Sequence, residues 1–515
     1  MPFVRCLTAV ACALASQLAQ ADTGLYLGSK TPYEPRQDAA TYEAAPSGFS
    51  PVFTQMVARH GSRGLSSASN DLAFYNMWLQ AQATGNLTKL GARLGPELMR
   101  VVRANALLGY GVNGITVPGY GNLTLKGIDE HTQLAKRMAA RVGPLLTDTA
   151  STASRQVVVS TSGVNRAIDS GNFFTSSLAS AVPGLAPLIV NSAALTAYPS
   201  NKPVAQAAGI NRFQLYFHKL AAKTDLPVSA DAYYPTYQAS LAYQSYLASD
   251  ATMLAKVNAI TYSASTQAMA RTVLEGLFTK AFVNALDAGA SSYANTGSYT
   301  FTSDDGKFTT TVTGDGGTVL RNLVDAANAL YAVYTITPAM VNEVPVNLGK
   351  YFPAGQLPVL AYVSDAQDFY QKGPGVQEAA PVTYKMSQSL LDDFFREADA
   401  IAAGNLGHAA KLRFTHAEIM IPFAQRLGLP NATTAVPAAN TYTYDNNPWR
   451  GENIAPLAGN VQWDMFGNGA GTLLVKMYFN EKETDFPAAC DNARYFAGAS
   501  SHYYEYSKLK ACYGY

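Results

Sequence analysis

The feature that most restricts the fold is a short apolar run that ends in charge. Pro51-Val52-Phe53-Thr54-Gln55-Met56-Val57-Ala58 reads as a buried strand, and it runs directly into Arg59-His60-Gly61-Ser62-Arg63. A strand end of this kind, followed by a glycine and a small polar residue, is where open α/β sheets hold their ligands. The flanking patterns agree. Helical periodicity near 71–83, 96–108 and 124–142 precedes a second strand at Gln156-Val157-Val158-Val159-Ser160, and a helix is expected over 167–178. Strand, helix, strand, helix predicts an α/β fold with a central, mainly parallel sheet flanked by helices.

From about 175 to 400 the texture becomes Ala-rich and helical, interrupted by a hairpin signal at Asp305-Gly306. A helix over 389–403 stops at Gly404, and strand chemistry resumes at Lys411-Leu412-Arg413-Phe414-Thr415. Two more strands, 460–466 and 472–479, flank Gly467-Asn468-Gly469. The expected organisation is a core from 22–174 and 401–515, split by a large, mostly α-helical insertion at 175–400. Hydrophobic residues make up 48% of the chain, enough for a sizeable core. The 37 Lys and Arg against 36 Asp and Glu exclude a broadly basic nucleic-acid surface, so any anion site must be a local cluster.

Residues 1–21 read as a signal peptide: Arg5, an apolar run, then Ala19-Gln20-Ala21 before Asp22. An acylated Cys12 would leave a shorter apolar run after Arg5 than such leaders use. No other stretch is long and apolar enough for a membrane span. Cys6 and Cys12 leave with the leader, so Cys490 and Cys512 remain as an even pair, expected to form one disulfide in a secreted or periplasmic protein.

Three familiar motifs fail. Gly109-Tyr110-Gly111-Val112-Asn113-Gly114 lacks the preceding strand and following helix of a dinucleotide site and reads as a loop. There is no G-x-S-x-G elbow. The histidines and cysteines show no metal-ligand spacing, so neither metal nor cofactor is expected.

The strand ends supply a different chemistry. Arg59 and Arg63 can grip phosphate oxygens through paired, charge-assisted hydrogen bonds, and a neutral His60 between them can attack phosphorus. Ser160-Thr161-Ser162-Gly163-Val164-Asn165-Arg166 ends a strand in a loop that delivers a third guanidinium, and His416-Ala417-Glu418 ends another with an imidazole and a carboxylate. Phosphomonoester cleavage needs a nucleophile, charge stabilisation of the equatorial oxygens and an acid for the leaving oxygen, and the chain offers a candidate for each. Plainer readings stand beside these. Residues 59–63 could be a solvated basic loop, His416 a structural imidazole, Glu418 a first-turn carboxylate favoured by the helix dipole, and Arg166 a partner of Asp169. His131, His218, His408 and His502 are read as structural.

On these residues the chain resembles the histidine acid phosphatase family, and most its multiple inositol-polyphosphate phosphatase branch. Arg59-His60-Gly61-Ser62-Arg63 matches the family's Arg-His-Gly-x-Arg, and Leu123-Thr124-Leu125-Lys126-Gly127 resembles its Leu-Thr-x-x-Gly. Ser160-Thr161 with Arg166 and Ser170 is similar to the block carrying its third arginine, and His416-Ala417-Glu418 is the branch's form of an element that many relatives write His-Asp. Lys30-Thr31-Pro32-Tyr33 and Asn480-Glu481 add to the likeness, while Leu65 stands where the family often has proline. The resemblance implies that His60 is phosphorylated and then freed by water. Arg59, Arg63, Arg166 and His416 would bind the phosphoryl group, and Glu418 would donate the proton from a site expected to raise its pKa. It also implies a small phosphorylated substrate such as phytate, with no metal and no nucleic acid. A broad acid phosphatase, or an exported protein that binds phosphorylated ligands without cleaving them, remains the alternative. Candidate cations for further phosphates are Lys202, Arg212, Lys219, Lys223, Arg93, Arg100 and Arg103.

Overall fold

The computed structural model describes residues 24–195, 206–225, 227–496 and 500–515. The expected leader and Lys202 lie outside the described residues. A mixed sheet runs through the molecule, built from β1 Ser50–Arg59, β2 Gln156–Thr161, β3 Ile189–Asn191, β4 His408–Thr415, β5 Asn460–Gly467, β6 Leu473–Phe479, β7 Lys482–Thr484 and β8 Tyr503–Glu505. Its order is β7-β6-β5-β1-β4-β2-β3, with β8 also on β6. The strands β1, β4, β2 and β3 are mutually parallel, whereas β5 to β8 form an antiparallel flank.

Side chains of β1 alternate between two cores, as a period of two demands. Met56 and Ala58 meet Leu134 and Met138 of α1 (Leu125–Arg141), and Phe174 and Leu178 of α2 (Asn165–Ala181). Phe53 and Val57 face a second core, which includes Phe369 of α3 (Gln356–Gln371), Phe394 and Phe395 of α4 (Gln388–Ala402) and Phe423 of α5 (Ala417–Leu427). A third core joins the helices Asn70–Ala83 and Gly91–Ala106 to Ala264–Leu277 and Leu323–Tyr334, so the helical lobe draws on chain from both sides of residue 175. The short β3 extends the sheet from within the same 175–400 stretch. The expected hairpin is present as Ser298–Thr302 paired with Thr309–Thr313, and Cys490 is bonded to Cys512 with their Cα atoms 5.5 Å apart. Among the described residues no helix is long and apolar enough to cross a membrane.

Register brings three strand ends level. Arg59 pairs with Thr415, and Thr161 with Phe414, so the loops after β1, β4 and β2 leave the same edge of the sheet side by side. The loop after β1 is pressed against the first turn of α1. Thr124 caps that helix by accepting a hydrogen bond from the Gly127 amide at 3.1 Å, and its own amide donates to the Ser62 carbonyl at 2.9 Å. Contact is too close for any side chain: a Cβ on Gly127 would stand 2.1 Å from the Ser62 carbonyl oxygen, and one on Gly61 would stand 2.4 Å from that of Gly127. The glycines of two separate sequence blocks are thus required by one backbone-to-backbone contact. Gly127→Ala is expected to cost about 1–3 kcal/mol in urea unfolding through this overpacking. Gly143→Ala, whose added carbon meets nothing within 4 Å, is expected to cost none. Equal midpoints for the two variants would refute the contact.

Candidate active site

His60 sits at the end of β1, 2% exposed. Its amide donates to the Thr415 carbonyl at 2.8 Å, and its carbonyl accepts from the Ala458 amide at 3.0 Å, so the residue is clamped between β4 and the 455–459 turn. The ring nitrogen Nδ1 lies 2.9 Å from the Gly61 carbonyl. A carbonyl can only accept, so Nδ1 carries the proton and the lone pair is on Nε2. Burial, then the charges of Arg166, Arg59, His416 and Arg63, drive the His60 pKa well below its usual value. The ring is therefore neutral and held in one tautomer, with the Nε2 lone pair free.

Three guanidiniums surround it. Arg59 is buried and gives Nη1 to the carbonyl oxygens of Ser29 and Ala455, the latter at 2.6 Å. Arg63 gives Nη1 to the Gly64 carbonyl at 2.6 Å. Arg166 stands in the first turn of α2. Among the described residues none of the three is in an ion pair, and the buried Nε of each lacks a hydrogen-bond partner. Burial lowers all three: Arg59 is brought down to about 10, and Arg63, also repelled by Arg166 and Arg59, to about 9. The expected alternative for Arg166 does not form, because Asp169 is taken by Thr116, whose amide lies 3.2 Å from its Oδ2.

His416, at the end of β4, packs edge-on to His60 with ring centroids 5.4 Å apart, and its Nε2 lies 2.8 Å from Ser162 Oγ. Burial and Arg166 also keep this imidazole well below its usual pKa. Glu418 lies in the first turn of α5 beside the same cluster, with Lys372 Nζ 3.7 Å from its Oε1. Here the chain departs from expectation. Burial pushes the Glu418 carboxyl up, but the Lys372 ammonium first, then the His218 and His416 rings, outweigh it and hold the group well below the ordinary carboxylate range. Nearby cations, not an apolar pocket, dominate its surroundings.

The edge thus gathers every residue singled out for the phosphoryl site: Arg59, His60, Arg63, Arg166, His416 and Glu418. It also holds residues that were not singled out. His218, read as structural, has its ring 6.4 Å from that of His416, and the Tyr216 ring lies 5.6 Å from the same imidazole. Lys30 lies among Arg63, Arg59 and Lys372, whose charges, after burial, lower its pKa strongly. Lys372 and His218 come from the stretch where no motif could be read. Lys30, by contrast, lies in the Lys30-Thr31-Pro32-Tyr33 block of the family resemblance, which gives it no role. Several of the candidate cations are engaged elsewhere. Arg212 pairs with Asp225 at 2.6 Å and Arg103 with Asp304 at 2.7 Å, while Arg100 and Arg103 line a separate cavity of about 420 Å³. His131, His408 and His502 are structural in their contacts: His131 Nε2 donates to the Arg59 carbonyl at 3.2 Å, and the other two rings meet Glu397 and Asp485. The segment at Gly109–Gly114 is a series of turns. Among the described residues no group of three or more His, Cys, Asp or Glu could hold a metal ion.

The chain is similar over nearly its whole length to a solved multiple inositol polyphosphate phosphatase from Bifidobacterium longum. The structure of that protein with inositol hexasulfate shares 31% identity, covers 95% of this chain and 98% of the other, and superposes with a TM-score of 0.81. The structure of the same protein with phosphate gives 31% identity, the same coverage and a TM-score of 0.82. A phytase from D. castellii shares the fold at 13% identity and a TM-score of 0.57, covering 95% of this chain and 84% of the other. No protein-family model and no curated protein matches the chain.

The tautomer and charge state of His60 are open to direct measurement. In ¹⁵N NMR of labelled protein its ring should remain neutral, protonated on Nδ1, at about pH 5.5, a unit below the usual ~6.5 for histidine. Because the neighbouring cations lower this pKa, Arg166→Met should move the titration upward. An imidazolium signal from His60 at that pH in the parent protein would contradict the geometry.

Proposed function

The chain belongs to the multiple inositol polyphosphate phosphatases of the histidine acid phosphatase family, and from that premise we propose that it hydrolyses inositol polyphosphates such as phytate through a phosphohistidine at His60. It is a phosphoric monoester hydrolase. The observation that carries the catalytic reading is a neutral imidazole, fixed in one tautomer, beside three guanidiniums that form no ion pair with a carboxylate among the described residues.

In the first half-reaction the His60 Nε2 lone pair forms a bond to phosphorus as the ester P–O bond breaks. Arg59, Arg63, Arg166 and His416 hold the phosphoryl oxygens and stabilise the charge that spreads over them. The Gly61 carbonyl keeps the Nδ1 proton in place and takes up part of the positive charge that the ring acquires. Glu418 protonates the departing alkoxide. In the second half, water attacks phosphorus and returns its proton to the Glu418 carboxylate, and the Nε2–P bond breaks to release phosphate. Glu418 is ionised in the free site, so it must be loaded before the first step. A phosphomonoester has a second pKa near about 6 and can bring that proton in as its monoanion, and a phosphoryl dianion beside the carboxyl favours the protonated form.

A ring carrying several phosphates needs cations outside the clamp, and Lys30 and Lys372 stand next to it. That supports polyphosphorylated rings over simple esters, as does the relative solved with inositol hexasulfate. The Cys490–Cys512 bond supports export, with residues 1–21 read as the leader.

His60→Ala is expected to abolish both turnover and trapping of ³²P-phosphoenzyme. Glu418→Gln should slow an alkyl phosphate at least about 100-fold, as loss of a general acid does. It should slow p-nitrophenyl phosphate far less, since that leaving group needs little protonation. Equal losses on the two substrates would remove Glu418 from the acid role. Product analysis on inositol hexakisphosphate against simple phosphomonoesters decides between the polyphosphate reading and a broad acid phosphatase.

A further inference from the structure

Glu418 makes one ion pair among the described residues, and its partner is itself tethered. Lys372 follows the last turn of α3, where its Nζ lies 2.7 Å from Asp368 Oδ1 but 3.7 Å from Glu418 Oε1. The other oxygen of Asp368 accepts from Ser29 Oγ at 2.9 Å, and the Ser29 carbonyl accepts from Arg59 Nη1. An unbroken line of contacts therefore runs from the phosphate clamp through Ser29, Asp368 and Lys372 to the carboxylate that faces the leaving group.

We infer that Lys372 is the positioning residue for Glu418, and that Asp368 sets how tightly it holds the carboxylate. The inference rests on Glu418 being the acid. A lysine closed to full contact on Glu418 would fix it as a carboxylate and block its reloading, whereas no lysine would leave it without a partner. Asp368 holds the ammonium at the intermediate distance. The carboxylate is steadied without being locked, and an arriving phosphoryl group competes for the same ammonium.

The other groups that act on Glu418 are known. His416 stands at the end of β4 and His218 in the 217–219 turn, and both lower its pKa. Arg59 at the end of β1, Arg63 after it and Arg166 in α2 interact with its charge, as does Tyr243 in the helix Tyr234–Ser249. Among the described residues only Lys372 is within ion-pair distance of the carboxylate.

The test is kcat against pH for glycerol 2-phosphate and for p-nitrophenyl phosphate. Lys372→Met should move the basic limb of the alkyl-phosphate profile upward by roughly one to two pH units, because Glu418 then keeps its proton longer. Asp368→Asn, which frees Lys372 to close on Glu418 and removes a negative charge, should move it downward. Lys372→Arg should retain the parent limb, and in a Glu418→Gln background Lys372→Met should move nothing. Two results would overturn the inference while leaving Glu418 as the acid: an unmoved limb in both Lys372→Met and Asp368→Asn, or a pH-independent loss on both substrates together with a lowered melting temperature. Equal loss on the two substrates in Glu418→Gln alone would instead remove the acid, and Lys372 would fall with it.

Discussion

Three guanidiniums share the carboxyl edge of β1, β4 and β2, none of them in an ion pair with a carboxylate among the described residues, and the surrounding framework has to hold that repulsion in place. It does so with neutral oxygen. Carbonyls of Ser29, Ala455 and Gly64 accept from Arg59 and Arg63, so positions are fixed while charge is not cancelled. The carboxylates nearby are kept one step away: Asp169 is taken by Thr116, Asp368 by Lys372 and Ser29, and Glu130 by the Ser62 amide and hydroxyl. A site built this way is destabilised by its own charge and complementary to an anion. That combination distinguishes a binding edge from a buried salt-bridge network, in which the charges would be satisfied within the protein.

Position at that edge comes from the sheet rather than from the loops. Parallel pairing of β1 with β4, and of β4 with β2, brings their ends level to within a residue, so motifs more than 350 residues apart emerge as neighbours. Glu130 then ties two further blocks to the site. It accepts from the Tyr33 amide at 2.9 Å as well as from Ser62, and the Tyr33 hydroxyl reaches Glu481, which is also held by Arg137. The early Lys30–Tyr33 segment and the late Asn480-Glu481 pair are thus parts of one brace under the nucleophile loop. Both residues of that late pair have positive φ, 52° and 59°, a backbone state fixed by this packing and paid in strain.

This explains what could and could not be read from the chain. His60, Arg59, Arg63, Arg166, His416 and Glu418 were legible because each sits within a few residues of a strand end, where local sequence and fold geometry say the same thing. The parallel sheet was legible for a similar reason, since its strands are short apolar runs separated by helical periodicity. Lys372 and His218 were not. Lys372 reaches Glu418 only because α3 packs into the same core as α5, and His218 reaches His416 only because the segment after Asn211 folds back over β2 and β4. Neither contact leaves a trace in spacing. The pKa of Glu418 was misjudged on the same account: the residue type and its neighbours in sequence suggest an enclosed acid, but the dominant charge comes from the distant Lys372.

A chain with a net charge of +1 creates little attraction at a distance, so the discrimination in favour of a highly charged ring must act at short range. Screening limits exposed charges to about 8–10 Å in physiological salt. Arg59, Arg63 and Lys372 all act on the protonation of Lys30, so these cations are close enough to work within that radius as a single field. The first phosphate to enter meets that field and supplies the negative charge the site lacks, which relieves the repulsion among the guanidiniums and raises the proton affinity of Glu418. On the proposed mechanism, binding and readiness of the acid are then consequences of the same electrostatic change.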